Sequence, residues 1–285
     1  MLKRFITLSM ALCFGFLTVK ADEGMWLPLL LSDNEADMQA VGLKLTASDI
    51  YDINNSSLKD AVVSLGGFCT AEMISDQGLL LTNHHCGFGQ IQSHSSVGND
   101  YLTDGFWAMD KSEELENEGL FVSFLVKMED VTERMNAALD SVSDEERGGV
   151  IRKLSAEIVA EATDSTHYNA RVKSFFGGND FYLMVYETFN DVRLVGAPPS
   201  SVGKYGGDTD NWMWPRHTGD FALFRVYSGP DGKPAEYSEV NIPYKPKHHF
   251  PISLDGVKDG DFSMIMGFPG STDRYLSSWG VKQAI

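Results

Sequence analysis

Basic residues are scarce. Lys and Arg number 23 against 40 Asp and Glu, which leaves a formal net charge of −17. A chain of that sign repels a phosphate backbone, which excludes nucleic acid as a partner. Its long-range field favours cationic ligands, although acidity that only keeps the chain dissolved is an equally good account. Cysteine is also sparse, at three residues, so there is room for one disulfide at most. Long apolar runs are missing after the first twenty residues, which excludes a helical membrane protein of several spans. No His-Glu-x-x-His occurs, and there is no internal repeat or low-complexity tract.

The one apolar run that exists is a targeting segment. Lys3 and Arg4 precede an apolar stretch from Ile6 to Leu17, and Val19-Lys20-Ala21 offers a small-residue cleavage site. Residues 1–21 are therefore expected to be a signal peptide, with export to the periplasm or cell surface of a Gram-negative bacterium. Cys13 leaves with the leader, as do Lys3, Arg4 and Lys20, so the mature chain is more acidic still. Two cysteines remain, Cys69 and Cys86, and an exported chain with two cysteines favours pairing them.

Those cysteines bracket the most informative stretch, Gly66 to Cys86. Phe68 to Ile74 predicts a strand. Ser75-Asp76-Gln77-Gly78 is turn chemistry, with Gly78 free to take positive φ. Leu79 to Leu81 predicts a second strand, too apolar to be solvated on both faces. The pairing brings Cys69 and Cys86 within disulfide reach and holds His85 at a strand end, where an oriented imidazole serves as a general base. A disulfide hairpin with a partly exposed His is the plainer reading of the same residues.

Elsewhere the chain alternates. Asn34 to Val41 predicts a short helix, and Thr46-Ala47-Ser48-Asp49 has capping-box spacing for another through Ile53. Ala61 to Leu65 predicts a strand. Residues 87–99 are rich in Gly, Ser and His and read as a loop, in which Ser93, Ser95 and Ser96 are poor nucleophile candidates. Residues 111–170 form a helical excursion, with a strand at Leu120 to Met128 and helices at Glu129 to Leu139 and Asp144 to Ala162. Strands return at Phe181 to Phe189, Val192 to Val195 and Phe221 to Tyr227. A hairpin is expected from Phe250 to Gly267, and a helix start from Leu276.

Asp220 is the second anchor. It opens an apolar strand after a glycine, so its carboxylate is partly buried and needs a specific partner. A neutral His donating Nδ1–H is the economical partner, since the carboxylate then fixes the tautomer and stabilises the imidazolium. A turn-capping role, or pairing with Arg216, fits Asp220 alone equally well. His84 reads as a packed neighbour of His85.

Phe68-Cys69 through Leu81-Thr82-Asn83-His84-His85-Cys86 resembles the catalytic-His hairpin of chymotrypsin-like serine peptidases. More narrowly, Asp22 to Trp26, Thr82 to Gly87 and Gly207 to Phe221 resemble the exported bacterial dipeptidyl-peptidase 7 and dipeptidyl-peptidase 11 family, over essentially the whole mature chain. The resemblance implies a mainly β fold. Residues 22–247 would be a first chymotrypsin-like β-barrel with the helical excursion inserted. Residues 248–275 would open a second barrel, and 276–285 would begin a helical domain. It implies His85 as general base and Asp220 as its orienting carboxylate. It implies Asn211 and Trp212 as holders of the free N-terminus of a peptide substrate, an amide carbonyl and an aromatic face both suiting an ammonium. Trp214 is expected in the core, and Arg216 to brace the loop against Asp208 or Asp210. No metal or cofactor is called for, and a homodimer is left open.

The chain departs from that family in one respect. The Gly-x-Ser-Gly turn that carries the family's nucleophile is absent, and Ser271 in Gly270-Ser271-Thr272 is a poor imitation. The chain therefore reads as the N-terminal part of a longer serine-type dipeptidyl-peptidase. A metal-dependent hydrolase built on His84, His85, His94 and His248 or His249 is a weaker alternative, and a non-catalytic peptide-binding protein is another. By itself the chain is expected to release no dipeptide from peptide substrates. Release that persists in Ser271→Ala would contradict this.

Overall fold

The computed structural model describes residues 25–210, 213–270 and 276–285. The expected leader at 1–21, the amine-binding candidates Asn211 and Trp212, and Ser271 lie outside the described residues. Among the described residues, no helix is long and apolar enough to cross a membrane.

The described chain is mainly β. Eleven strands form one antiparallel sheet: β1 Val62–Leu65, β2 Cys69–Met73, β3 Leu79–Thr82, β4 Phe106–Trp107, β5 Leu115–Glu116, β6 Val122–Asp130, β7 Asn169–Phe175, β8 Asp180–Phe189, β9 Asp191–Ala197, β10 Ala222–Ser228 and β11 Ile242–Pro243. The helices are α1 Glu35–Ala40, α2 Ala47–Ile50, α3 His84–His94, α4 Tyr101–Asp104, α5 Thr132–Leu139, α6 Asp144–Thr163, α7 Ser200–Gly203 and α8 Ser278–Ala284. The pairing path runs β4-β9-β10-β3-β2-β1-β6-β8-β7, with β5 on β9 and β11 on β10. Its two ends do not meet, so the ladder is an open sheet and not the closed barrel expected. The sheet nevertheless curls. Val63, Met73, Leu80, Phe124, Leu194 and Phe224, from six strands along the path, share one buried cluster.

The reason it stays open lies in β6 and β8. These strands run well past the shared core, and their far halves are covered on both faces. Phe181, Leu183 and Val185 of β8 pack against Met135 and Leu139 of α5 and Ile158 of α6. The alternate residues Tyr182, Met184 and Tyr186 pack on the other face with Leu125 and Met128. A strand buried on both faces reads as a continuous apolar run, which is the sequence of β8. The edge strand β7 carries Arg171 and Lys173, and such charges discourage further pairing. β7 begins where the sequence reading ended its helical excursion, and that reading did not include it.

Local chemistry fixes several element ends. The hairpin β2–β3 forms as expected, with Gly78 at φ +70° and no room for a Cβ against the Val226 carbonyl. Thr46 and Asp49 form the expected capping box, but α2 ends at Ile50. The expected hairpin between Phe250 and Gly267 does not form: no strand occurs from 248 to 270. That segment instead runs along the first hairpin, with the Phe250 N–H donating to the Met73 carbonyl (2.8 Å) and the Phe268 N–H to Thr70 Oγ1 (2.8 Å). Ile252, Leu254, Val257 and Ile265 are exposed. Two strands without an apolar surface to cover are marginal in water.

One end of the curled sheet is held by a buried ion pair. Arg193 donates to both carboxylate oxygens of Asp191 (2.9 and 2.7 Å), and Asn241 donates to the same carboxylate (2.9 Å). The guanidinium stacks 3.8 Å from the ring centre of Tyr227 and 4.8 Å from that of Tyr237. Removing one partner strands a buried charge, so Asp191→Ala should lose about 3–5 kcal/mol of unfolding free energy in urea titration. A loss below ~1 kcal/mol would show that Arg193 finds solvent or another partner.

Candidate active site

The register between β3 and β10 assembles the site. Ala222 lies opposite Thr82, so the residues just before β10 meet those just after β3. Asn83, His84 and His85 thus face Asp220. The two segments are 135 residues apart in sequence.

His85 Nδ1 lies 2.7 Å from Asp220 Oδ2. The His85 backbone N–H also donates to Asp220 Oδ1 at 3.0 Å. The Asp220 side chain is 8 % exposed and the His85 side chain 64 %. The carboxylate is therefore set into the protein while the imidazole projects outward. Burial pushes the Asp220 carboxyl up, but donation from the His85 backbone and ring, with the positive charge of Arg216 at 3.8 Å, outweighs it. The carboxyl is held below the usual carboxylate range. An ionised Asp220 fixes the proton of a neutral His85 on Nδ1 and leaves Nε2 free to accept one.

His85 does not stand at a strand end, as expected, but in the first turn of α3. Residues 87–94, read as loop, continue that helix. Its glycines suggested flexibility, yet Gly87 is there for close approach. A Cβ would come within 3.1 Å of the Phe224 ring on β10. With glycine there the helix presses onto β10 without displacing the Phe224 ring. The Ser93 and Ser95 hydroxyls donate to the Gln90 and Ile91 carbonyls of the same helix (2.8 and 2.9 Å), which occupies them structurally.

Cys69 and Cys86 are bonded, with their Cα atoms 6.1 Å apart and a separation of 17 positions in sequence. The bridge ties β2 to the first turn of α3, directly beside His85. Closing a loop of that size is worth about 3 kcal/mol through the unfolded chain. Cys69, His85 and Cys86 have the spacing of a metal cluster, but both sulfurs are spent on each other. The other histidines of the metal alternative go elsewhere. His94 meets Asn117 at 3.1 Å, and His248 meets Ser56 at 3.5 Å.

His84 is the packed neighbour expected, 1 % exposed. Its ring rests directly on Gly203 of α7, and burial pushes its imidazole down, against the pull of the Asp220 charge. Trp214, expected in the core, is 93 % exposed. Arg216 turns toward Asp220, and Asp208 pairs instead with Lys204 at 3.2 Å. Sequence reasoning missed Asn83, whose amide donates to the Asp220 main-chain carbonyl and carboxylate (3.1 and 3.3 Å). Its place between a strand and the catalytic candidate was the available signal.

Comparison with known proteins is consistent over the whole length. Residues 21–285 match the family described as peptidase S46. An Asp/Glu-specific dipeptidyl-peptidase of Capnocytophaga gingivalis is 53 % identical over 285 residues, covering 99 % of this chain and 40 % of that protein. A dipeptidyl-peptidase 7 of Phocaeicola vulgatus is 52 % identical, again over 99 % of this chain and 40 % of the relative. The solved structure of Porphyromonas endodontalis DPP11 in complex with the dipeptide Arg-Glu superposes with a TM-score of 0.86 at 47 % identity, covering 92 % of this chain and 39 % of that one. The chain thus spans about 40 % of the length of these relatives.

Because the folded Asp220 carboxyl titrates below its unfolded counterpart, it contributes stability above the unfolded value, and that contribution vanishes as pH falls through the folded one. Asp220→Asn should therefore be less stable than the parent at about pH 6, with a smaller difference at about pH 3. Urea midpoints at the two pH values test this, and a gap that does not change with pH would contradict it.

Proposed function

The chain belongs to the peptidase S46 family, and on that footing we propose that it carries the base and orienting carboxylate of a serine-type dipeptidyl-peptidase. The observation that carries the proposal is the His85–Asp220 pair, an exposed imidazole held through Nδ1 by a buried carboxylate. His85 Nε2 takes the proton of a serine hydroxyl supplied beyond this chain. The serine oxygen attacks the carbonyl of the second residue of a peptide. His85 then returns the proton to the leaving amine, which departs as the shortened peptide. Water, deprotonated by the same imidazole, releases the dipeptide from the acyl-enzyme.

Asn211 and Trp212 are proposed to hold the free N-terminal ammonium at a fixed distance from that serine. This would make the product two residues long. The negative charge of the chain suits an ammonium ligand. Relatives named Asp/Glu-specific dipeptidyl-peptidase and dipeptidyl-peptidase 7 are about equally similar to the chain, at 53 % and 52 %.

The curled sheet is read as the counterpart of the first chymotrypsin-like barrel, spanning 22–247 with its helical excursion. Residues 248–275 lead toward a second barrel, and 276–285 begin a helical domain. Export behind a leader at 1–21, to the periplasm or cell surface, completes the reading, since the Cys69–Cys86 bridge persists in an oxidising compartment.

In the full-length protein, His85→Ala and Asp220→Ala should each lower kcat/KM for dipeptide release by roughly 10³-fold or more. Labelling by a fluorophosphonate should fall in parallel. Retention of release or labelling in His85→Ala would remove the imidazole from the mechanism.

A further inference from the structure

The helix end at the site exchanges two roles. Asn83 occupies the N-cap of α3, where an Asn side chain ordinarily accepts a hydrogen bond from a backbone N–H of the first turn. Here it makes no such bond. The His85 N–H of that turn donates instead to Asp220 Oδ1, so a carboxylate 135 residues away caps the helix. The Asn83 amide is released for other work. Its Nδ2 donates to the Asp220 main-chain carbonyl at 3.1 Å and to Asp220 Oδ2 at 3.3 Å. Both partners are acceptors only, so the amide must present its nitrogen and not its oxygen to them.

Oδ2 is also the oxygen that meets the His85 ring. Each carboxylate oxygen is therefore held by a donor from the segment 83–85, and one amide spans the side chain and the main chain of Asp220. We propose that Asn83 is a positioning residue of the relay. It clamps the Asp220 carboxylate to its own backbone and so sets the plane in which Oδ2 receives the imidazole N–H. In this role Asn83 acts through Asp220. The other charged or titratable groups facing that carboxylate are His85, Arg216 and, from its buried place beside it, His84.

The kinetic half of this inference rests on the peptidase reading, whereas the geometric half does not. Asn83→Ser separates the clamp from the cap. Serine ranks with asparagine at the N-cap, but it is too short to reach Asp220. Asn83→Asp keeps the shape, cannot donate, and adds a like charge beside Asp220. Carbon-detected NMR of the Asp220 carboxyl in the purified protein is read first. Its titration should move upward in Asn83→Ser and further in Asn83→Asp, with the thermal midpoint of Asn83→Ser close to that of the parent. In the full-length protein, kcat should fall roughly 10- to 100-fold in Asn83→Ser while KM stays unchanged, the pattern of a misplaced relay. An Asp220 titration in Asn83→Ser matching the parent overturns the proposal, as does parental kcat in that variant. Failure of Asn83→Ser to fold also overturns it, since the side chain would then be holding structure and not position. His85→Ala, measured alongside, keeps the two readings apart. Activity that survives there defeats the peptidase mechanism, whereas activity lost there and kept in Asn83→Ser defeats the clamp alone.

Discussion

A single carboxylate does two jobs at the centre of this structure. Asp220 closes the end of α3 through the His85 N–H and orients the ring of the same residue. The backbone and the side chain of His85 are thereby referred to one group. The imidazole cannot rotate without breaking the ring contact, and the helix cannot shift without breaking the cap. Burial alone would favour the neutral acid, so the donors around Asp220 have to overcome that tendency. The disulfide adds a third restraint by tying Cys86, the next residue, to β2. An exposed imidazole is thus placed by a buried carboxylate and by the bridge beside it.

The sheet that supports this arrangement has two parts with different demands. From β9 to β1 it curls around one core, and within that part the pairing of β3 with β10 sets the end of β3 beside the start of β10. Beyond β1, the long strands β6 and β8 leave the curl and take helices α5 and α6 on one face. The helices of the excursion therefore have a hydrophobic core of their own. Their cluster of Met135, Leu139 and Ile158 contains neither His85 nor Asp220.

Much of this was legible in sequence where a local rule and a tertiary need agree. The hairpin shows itself because Gly78 marks a turn between two apolar runs, and α6 shows itself through apolar residues at helical spacing behind Ser143. His85 and Asp220 were legible because a His beside a Cys and a carboxylate at a strand mouth each call for a partner. What failed to show are the places where distant packing decides. Helix α3 contains Gly87 and Gly89, poor helix formers, and Gly87 is packed closely against Phe224 of β10. The edge strand β7 alternates charged and small residues and draws its order from pairing with β8. The residues from Phe250 to Gly267 have strand-like composition but meet no sheet edge to join. Asn83 went unread because its partner, Asp220, enters from 137 residues away.

That separation bears on the order in which the chain acquires its chemistry. Strand β3 is complete by Thr82, but its neighbour β10 begins only at Ala222, after the whole excursion has been made. Until β10 docks, the imidazole has no carboxylate and the first turn of α3 has no cap. Contacts of such long range are the last to repay their loop-closure entropy. A partly folded or nascent chain therefore holds an ordinary surface histidine. The His85–Asp220 pair comes into being only when β10 joins the sheet, so an oriented imidazole is available only in a molecule whose fold is already finished.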